Sequence, residues 1–221
     1  MLKFSYYGHS AFLLDDGSSR LLFDPFLTFN PATTLSADKA EADYILVSHG
    51  HQDHLGDAGS IARMSDATVI GVPEIIDACG KVKSHGMNIG GTAKFPFGKV
   101  FMTPAMHSAG VPGAIACGFV VTIGGKTVYY SGDTSLFSDM ALISRKFRID
   151  YAVLPIGDNY TMGIEDAAIA AEILQAEHVI PVHYNTWPVV QQDAELFKMR
   201  VEMDGFIKCH ILKPGEAMEL E

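Results

Sequence analysis

The sequence predicts a layered fold of the α+β or α/β class, and three observations support this prediction. Short apolar runs rich in β-branched and aromatic residues dominate the first half of the chain. In the second half, such runs alternate with stretches of helical periodicity. Of the 221 residues, 48% are hydrophobic and 21 are glycine, which is typical of a well-packed protein with many loops. We therefore expect one domain over residues 1–221.

The predicted strands of the first half are short and are bounded by turn-forming residues. Their expected ranges are 2–7, 10–15, 20–24, 44–48, 68–71, 87–89, 93–96 and 99–104. Helices are expected near 57–64 and 73–79. The second of these begins with Pro73, which suits the first turn of a helix, and ends at Gly80.

The clearest hairpin spans residues 117–131, where Gly124 and Gly125 tolerate the positive φ angles of a tight turn. Beyond it, the pattern predicts helices near 136–145, 164–176 and 193–203 and strands near 151–155, 178–182 and 207–211. Strand-rich halves that are each followed by helices favour two packed sheets with helices outside.

The most informative segment is the run His49-Gly50-His51-Gln52-Asp53-His54, which follows the apolar residues 44–47. Imidazole and carboxylate are the ligands that Zn²⁺ and similar divalent ions prefer. The alternative is a polar loop whose histidines face solvent. Four ligand-type residues out of six, at the end of a buried strand, favour a metal site.

Other ligand-type residues also follow predicted strands, namely Asp24, His107, Asp133 and His183. Taken singly, each histidine could be a core residue at a strand end, and each aspartate could be an ordinary turn residue. Their occurrence at the ends of separate apolar strands, together with the six-residue run, favours a shared site.

The motif H-x-H-x-D-H is preceded by Asp24 and followed by His107, Asp133 and His183. This ordered set, over residues 24–183, resembles the metal-binding signature of the metallo-β-lactamase superfamily. The segments 8–10, 157–163 and 183–186 resemble a compact branch of largely uncharacterised metal-dependent hydrolases related to the ascorbate-phosphate lactonases. The resemblance implies the αββα sandwich of the metallo-β-lactamase type. Pattern alone predicts only a layered fold.

The resemblance also implies a dinuclear metal centre. It assigns one ion to His49, His51 and His107, the other ion to Asp53, His54 and His183, and a bridging position to Asp133. Asp24 would orient a ligand histidine through its second ring nitrogen. We expect two Zn²⁺ ions, although the ligand set also accepts Mn, Fe, Co or Ni.

Five further residues are candidates for contact with a substrate. His9 lies in a predicted turn that the resemblance places near the pocket mouth, where it could protonate a leaving group, bind substrate or be structural. Asn159, Tyr160, Tyr184 and Asn185 follow predicted strands and could hold a polar substrate, or could have ordinary loop roles.

The activity that the resemblance implies is hydrolysis of a small anionic ester, lactone or phosphodiester by a metal-bridging hydroxide, with Asp53 as a catalytic residue. Asp133 occupies the position where true β-lactamases carry cysteine, which argues against antibiotic hydrolysis. The alternatives are a nuclease or cyclic-nucleotide phosphodiesterase, a non-catalytic metal-binding or sensing protein, and a redox diiron protein.

The net charge of −10 argues against a nucleic-acid partner, because the longest basic cluster is residues 145–148 and suits a solvated helix end. We expect no signal peptide and no membrane span. Three separated cysteines in apolar surroundings favour free thiols and a cytoplasmic location. The expected partner is a small-molecule substrate, and a homo-oligomer is compatible with the sequence.

Overall fold

Two seven-stranded sheets form the framework of the protein, whose computed structural model describes residues 1–33 and 35–221. The first sheet contains β1 Leu2–Gly8, β2 Ala11–Asp15, β3 Arg20–Phe23, β4 Tyr44–Leu46, β5 Thr68–Gly71, β6 Lys83–Gly86 and β14 Ala217–Leu220. The second contains β7 Thr92–Phe95, β8 Gly98–Pro104, β9 Cys117–Ile123, β10 Lys126–Tyr130, β11 Tyr151–Pro155, β12 His178–Val182 and β13 Lys208–Cys209.

The strand orders are β14-β1-β2-β3-β4-β5-β6 and β13-β12-β11-β10-β9-β8-β7. In each sheet, an antiparallel part is followed by a parallel part: β3 to β6 are parallel, and so are β10 to β13. The change occurs at β3 in one sheet and at β10 in the other. The carboxyl ends of both parallel parts are therefore free to carry functional loops.

The helices are α1 Gln52–Leu55, α2 Ala58–Ser65, α3 Pro73–Cys79, α4 Met140–Lys146, α5 Ile164–Leu174 and α6 Ala194–Val201. Short 3₁₀ turns occupy Ala37–Lys39 and Pro188–Val190. Helix α5 packs against α4, α6 and β11, and α2 packs against α3 and β5. The layered fold predicted from the sequence is confirmed. Among residues 1–33 and 35–221, none of the helices has the length and apolar character that a membrane crossing requires.

Aromatic side chains fill the space between the sheets. The ring of Phe12 stacks on Phe4 and Phe23, with centroids 4.9 Å and 4.3 Å away, and meets Tyr130 of the second sheet edge-on at 5.2 Å. All four rings are buried. Since offset and edge-on aromatic pairs are favourable beyond their buried area, this cluster fixes how the sheets face each other.

Three elements differ from the sequence prediction: two lie at other positions than expected, and one was not predicted. The strand expected at 87–89 lies at Lys83–Gly86, with exposed side chains, because an edge strand is defined by its backbone pairing with β5 and needs no apolar face. The edge strand β14 was not predicted. Helix α4 begins at Met140, not 136, because Leu136 and Phe137 pack against the core before the helix starts.

Replacing Phe12 with Ala is expected to lower the free energy of unfolding by about 3–5 kcal/mol, because a buried aromatic ring is lost and a cavity remains. Chemical denaturation of the metal-free protein measures this change. The control is Phe29→Ala at a side chain that is 71% exposed, where a change within about 0.5 kcal/mol is expected. Equal effects of the two substitutions would contradict the assigned role of the aromatic cluster.

Candidate metal centre

Most of the ligand-type residues lie at the carboxyl ends of parallel strands, and the exception is His107, which follows the antiparallel strand β8. Asp24 follows β3, and the run His49–His54 follows β4, its parallel neighbour in the first sheet. Asp133 follows β10 and His183 follows β12, both in the parallel part of the second sheet. Because these ends meet where the two sheets face each other, residues far apart in sequence share one site.

The backbone is strained at three buried residues of this site. The φ angles of His9, Asp24 and His183 are 57°, 37° and 56°, in the left-handed region that disfavours side chains with a Cβ. Each such residue costs on the order of 1–3 kcal/mol, and such residues concentrate at functional sites. The backbone N–H of His183 donates to the carbonyl of His9 across 2.8 Å, so that two of the strained residues hold each other.

Three imidazoles converge in a first cluster. The distance from His51 Nδ1 to His49 Nε2 is 2.9 Å, and that to His107 Nε2 is 3.3 Å. Ligands that share one tetrahedral ion at about 2.0–2.1 Å lie about 3.3 Å apart. The loop carrying His107 packs so closely on this cluster that a Cβ atom at Gly110 would lie 2.5 Å from the His51 backbone nitrogen.

A second cluster contains His54, His183, Asp53 and Asp133. Asp133 Oδ2 lies 3.1 Å from His54 Nε2 and 3.0 Å from His183 Nε2. The corresponding distances from Asp53 Oδ2 are 3.9 Å and 3.7 Å. All four side chains therefore direct an imidazole nitrogen or a carboxylate oxygen towards a common volume.

Asp133 faces both clusters with the same oxygen atom. Besides its contacts with His54 and His183, Oδ2 lies 3.9 Å from His49 Nε2 and 3.7 Å from His107 Nε2. This carboxylate is 3% exposed and stands between two groups of imidazoles. A carboxylate in that position can serve as a ligand to two ions at once.

The donor atoms of the two clusters are arranged to bind cations and not to hydrogen-bond with one another. Among residues 1–33 and 35–221, His54 Nε2 and Asp133 Oδ1 are buried polar atoms that have no hydrogen-bond partner. A buried polar atom without a partner is costly, and a cation between the donors would remove that cost. Imidazoles with buried carboxylates form the donor set that Zn²⁺ and related ions take.

Asp24 determines the orientation of His54. Its carboxylate accepts hydrogen bonds from Ser48 N at 2.7 Å, Ser48 Oγ at 2.5 Å, Tyr130 Oη at 2.5 Å and His54 Nδ1 at 2.7 Å. A proton on His54 Nδ1 leaves Nε2 with a free lone pair that points towards Asp133. This is the arrangement that metal-binding histidines usually have, and it agrees with the orienting role expected for Asp24.

Burial and neighbouring charges shift the pKa values of the site in opposite directions. Burial would raise the pKa of Asp53, but the adjacent His183 and His9 outweigh it and hold that pKa well below its usual range. Burial would lower the pKa of His183, but the Asp133 carboxylate outweighs it and raises the value to about 9. Burial lowers the pKa of His49 well below its usual range. Asp53 is therefore ionised and His49 is neutral, as metal ligation requires, whereas an incoming cation has to displace the proton that His183 carries at neutral pH.

The two clusters are open on one side only. The side chains of Asp53 and His107 are 25% and 13% exposed, whereas those of His49, His54 and His183 are at most 1% exposed. His51 is partly exposed as well, so a small molecule reaches the site past Asp53, His51 and His107.

His9 lies beside the second cluster. Its Nε2 is 3.0 Å from Asp53 Oδ2, and its Nδ1 is 2.8 Å from Thr186 Oγ1. The side chain is completely buried. It contacts the Trp187 ring edge-on, with centroids 4.8 Å apart. It is therefore part of the site's framework rather than of its open face.

Two of the four other predicted substrate contacts lie near His9. Tyr184 and Asn185 line a cavity of about 430 Å³ that also reaches His9 but includes none of the seven predicted ligands. Asn159 and Tyr160 are exposed, and they are not among the residues that line this cavity. A substrate-binding role for any of the four stays a prediction.

Sequence reasoning did not identify four residues that support the site, namely Ser48, Tyr130, Thr186 and Trp187. Ser48 directly precedes the six-residue run, and Thr186 lies three residues after His183, so proximity along the chain was the available signal. Tyr130 reaches Asp24 from the opposite sheet, and no sequence pattern indicates that contact.

Comparison with known proteins identifies close relatives over the whole chain. The family described as "Beta-lactamase superfamily domain" matches residues 19–184. A "UPF0173 metal-dependent hydrolase" of Natranaerobius thermophilus is 47% identical over 221 residues, which cover 99% of this chain and 100% of that protein. A protein of the same description from Pelotomaculum thermopropionicum is 49% identical over 229 residues, with 99% and 100% coverage.

A solved structure with a similar fold is that of Igni18, described as a novel metallo hydrolase from the archaeon Ignicoccus hospitalis. It is 36% identical to this chain and superposes with a TM-score of 0.92, covering 100% of this chain and 99% of that one. The similarity therefore extends over both sheets and all the loops of the site.

Replacing Asp24 with Asn is expected to weaken metal binding about 10–100-fold, because His54 loses the carboxylate that fixes its ring. Competition with a chelating dye measures the affinity. Tyr130→Phe removes only one of the four donors to Asp24 and should have a smaller effect. Unchanged metal affinity in Asp24→Asn would contradict the orienting role.

Proposed function

Because this chain belongs to the β-lactamase superfamily, and within it to the UPF0173 metal-dependent hydrolases, we propose that it is a dinuclear enzyme acting on a small anionic ester, lactone or phosphodiester. The observation that carries the dinuclear part is the position of Asp133 Oδ2, within 3.0–3.9 Å of imidazole nitrogens from both clusters. A carboxylate between two donor sets could be a shared ligand of two ions.

In this proposal, each cluster holds one ion. The ligands of one would be His49, His51 and His107, those of the other Asp53, His54 and His183, and Asp133 would be shared. When bound, two divalent ions supply Lewis acidity towards the scissile group and lower the pKa of a water molecule held between them. We propose zinc, since five neutral imidazoles suit it well.

The chain's own residues determine what can reach the site. Asp53 stands at the open face with an ionised carboxylate, which would help to hold an ion and to orient an attacking water. The buried His49, His54 and His183 exclude bulk water from the opposite side. Such an opening suits a small molecule whose negative charge is drawn to the cations.

The charge of the chain favours a small substrate over a nucleic acid. Its net charge is −10, and binding a polyanion requires clustered lysines and arginines along a track. We therefore propose that an isolated phosphodiester can be attacked at the site but that RNA and DNA are not its physiological substrates.

An activity screen tests the proposal. Chromogenic esters, lactones, thioesters and phosphodiesters are offered to protein of measured metal content, and multiple turnovers of at least one class are expected. Metal-free protein should be inactive and should recover on addition of Zn²⁺. A fully metallated protein without turnover on any class would refute the hydrolytic proposal.

We expect about two divalent ions per chain, as the two donor sets imply. Elemental analysis of protein supplemented with metal and gently desalted measures the number. Asp133→Ala should weaken both ions, because it removes the shared carboxylate. A stoichiometry well below one, or one affinity left wholly unchanged in Asp133→Ala, would contradict the shared site.

Replacing Asp53 with Asn should reduce kcat by about 100-fold or more, since the shape is kept while the charge that supports the second ion and helps to orient the nucleophile is lost. Steady-state kinetics on the best substrate of the screen provide the measurement. The matched control is Asp66→Asn, which removes the same charge at an exposed position outside the two clusters. An Asp53→Asn enzyme with full metal and normal kcat would exclude the role.

A further inference from the structure

The side chain of His9 is closed off from solvent, although the residue borders the cavity that Tyr184 and Asn185 line. Its side chain has no exposed surface. Its carbonyl accepts hydrogen bonds from Tyr6 Oη at 2.9 Å and from His183 N at 2.8 Å, which fix the backbone in its left-handed conformation. Its ring lies 4.8 Å from that of Trp187. His9 therefore cannot touch a molecule bound at the open face.

Both ring nitrogens of His9 are already engaged, and the partners determine which nitrogen carries the proton. A carboxylate can only accept, so the 3.0 Å contact with Asp53 Oδ2 requires a proton on His9 Nε2. In a neutral ring, Nδ1 is then an acceptor, and the Thr186 hydroxyl, 2.8 Å away, is the group that can donate to it.

Asp53 is the member of the second cluster that most needs such support. It is 25% exposed, and its Oδ2 lies farther from His54 Nε2 and His183 Nε2 than that of Asp133 does. Among the residues that the structure describes, His9 is the only one that donates a hydrogen bond to the Asp53 carboxylate. Without it, the carboxylate would be free to rotate.

We propose that Thr186 is a positioning residue that acts through His9: its hydroxyl fixes the Nε2–H form of the ring, and the ring in turn fixes the Asp53 carboxylate. His9 is accordingly a positioning residue too, and not the proton donor considered from the sequence. The kinetic part of this inference rests on the proposed hydrolytic function. The part that concerns the ring and the metal affinity does not.

Two variants test the proposal on the full-length, zinc-loaded protein. Thr186→Val keeps the shape and removes the hydroxyl. It should weaken the more loosely held zinc about 10–100-fold in chelator competition, as loss of a supporting hydrogen bond typically does. Thr186→Ser keeps the hydroxyl and should restore most of that affinity. Where turnover is measurable, Thr186→Val should lower kcat and kcat/KM together and leave KM nearly constant.

Nitrogen-15 NMR of the histidine rings provides a readout that needs neither activity nor a variant. In the wild-type protein, the His9 ring should carry its proton on Nε2, with Nδ1 in the acceptor state. A proton on Nδ1 would overturn the proposal even if every variant folded poorly. Equal loss of zinc affinity in Thr186→Val and Thr186→Ser would also overturn it, because keeping the hydroxyl would then give no advantage. A correct ring state and a Ser rescue in a protein without turnover would uphold the inference and refute only the hydrolytic function.

Discussion

The carboxylate of Asp24 lies between the two sheets and accepts hydrogen bonds from both. Ser48 and His54 donate from the loop that follows β4 of the first sheet, and Tyr130 donates from the end of β10 in the second. A fully buried charge is tolerated only when such donors surround it. The same bonds hold the ring of His54 with Nδ1 towards Asp24 and Nε2 towards Asp133. The docking of the sheets and the readiness of the metal centre therefore depend on one side chain.

The rest of the site consists of a buried, closely packed part and a partly exposed part. The aromatic cluster around Phe12 holds the sheets face to face, and parallel strand ends supply the loops. The left-handed backbone at His9 and His183 is tolerated because each residue is buried and hydrogen-bonded to the other. Asp53, His51 and His107 are partly exposed at the opening, whereas His49, His54 and His183 are buried behind them.

The sequence was informative where a single stretch of chain carries the signal. The run from His49 to His54 indicated a metal site, and strands β11 and β12 could be predicted to the residue from their apolar patterns. Prediction failed where the partner is distant or where the backbone alone defines the element. The edge strand β6 has no apolar face, and Thr186 matters because His9, near the other end of the chain, turns its ring towards it. Long-range contacts of that kind leave no local pattern.

The hydrogen bond from His183 to the carbonyl of His9 has a consequence for biosynthesis. During translation, six of the seven strands of the first sheet and the run His49–His54 emerge early, whereas His183 and Thr186 emerge only after β12 has been made. An incomplete nascent chain thus presents a loose set of imidazoles without Asp133 and His183, and without the backbone bond that closes the site. The complete ligand set therefore requires both halves of the chain, which would couple tight metal binding to docking of the second half.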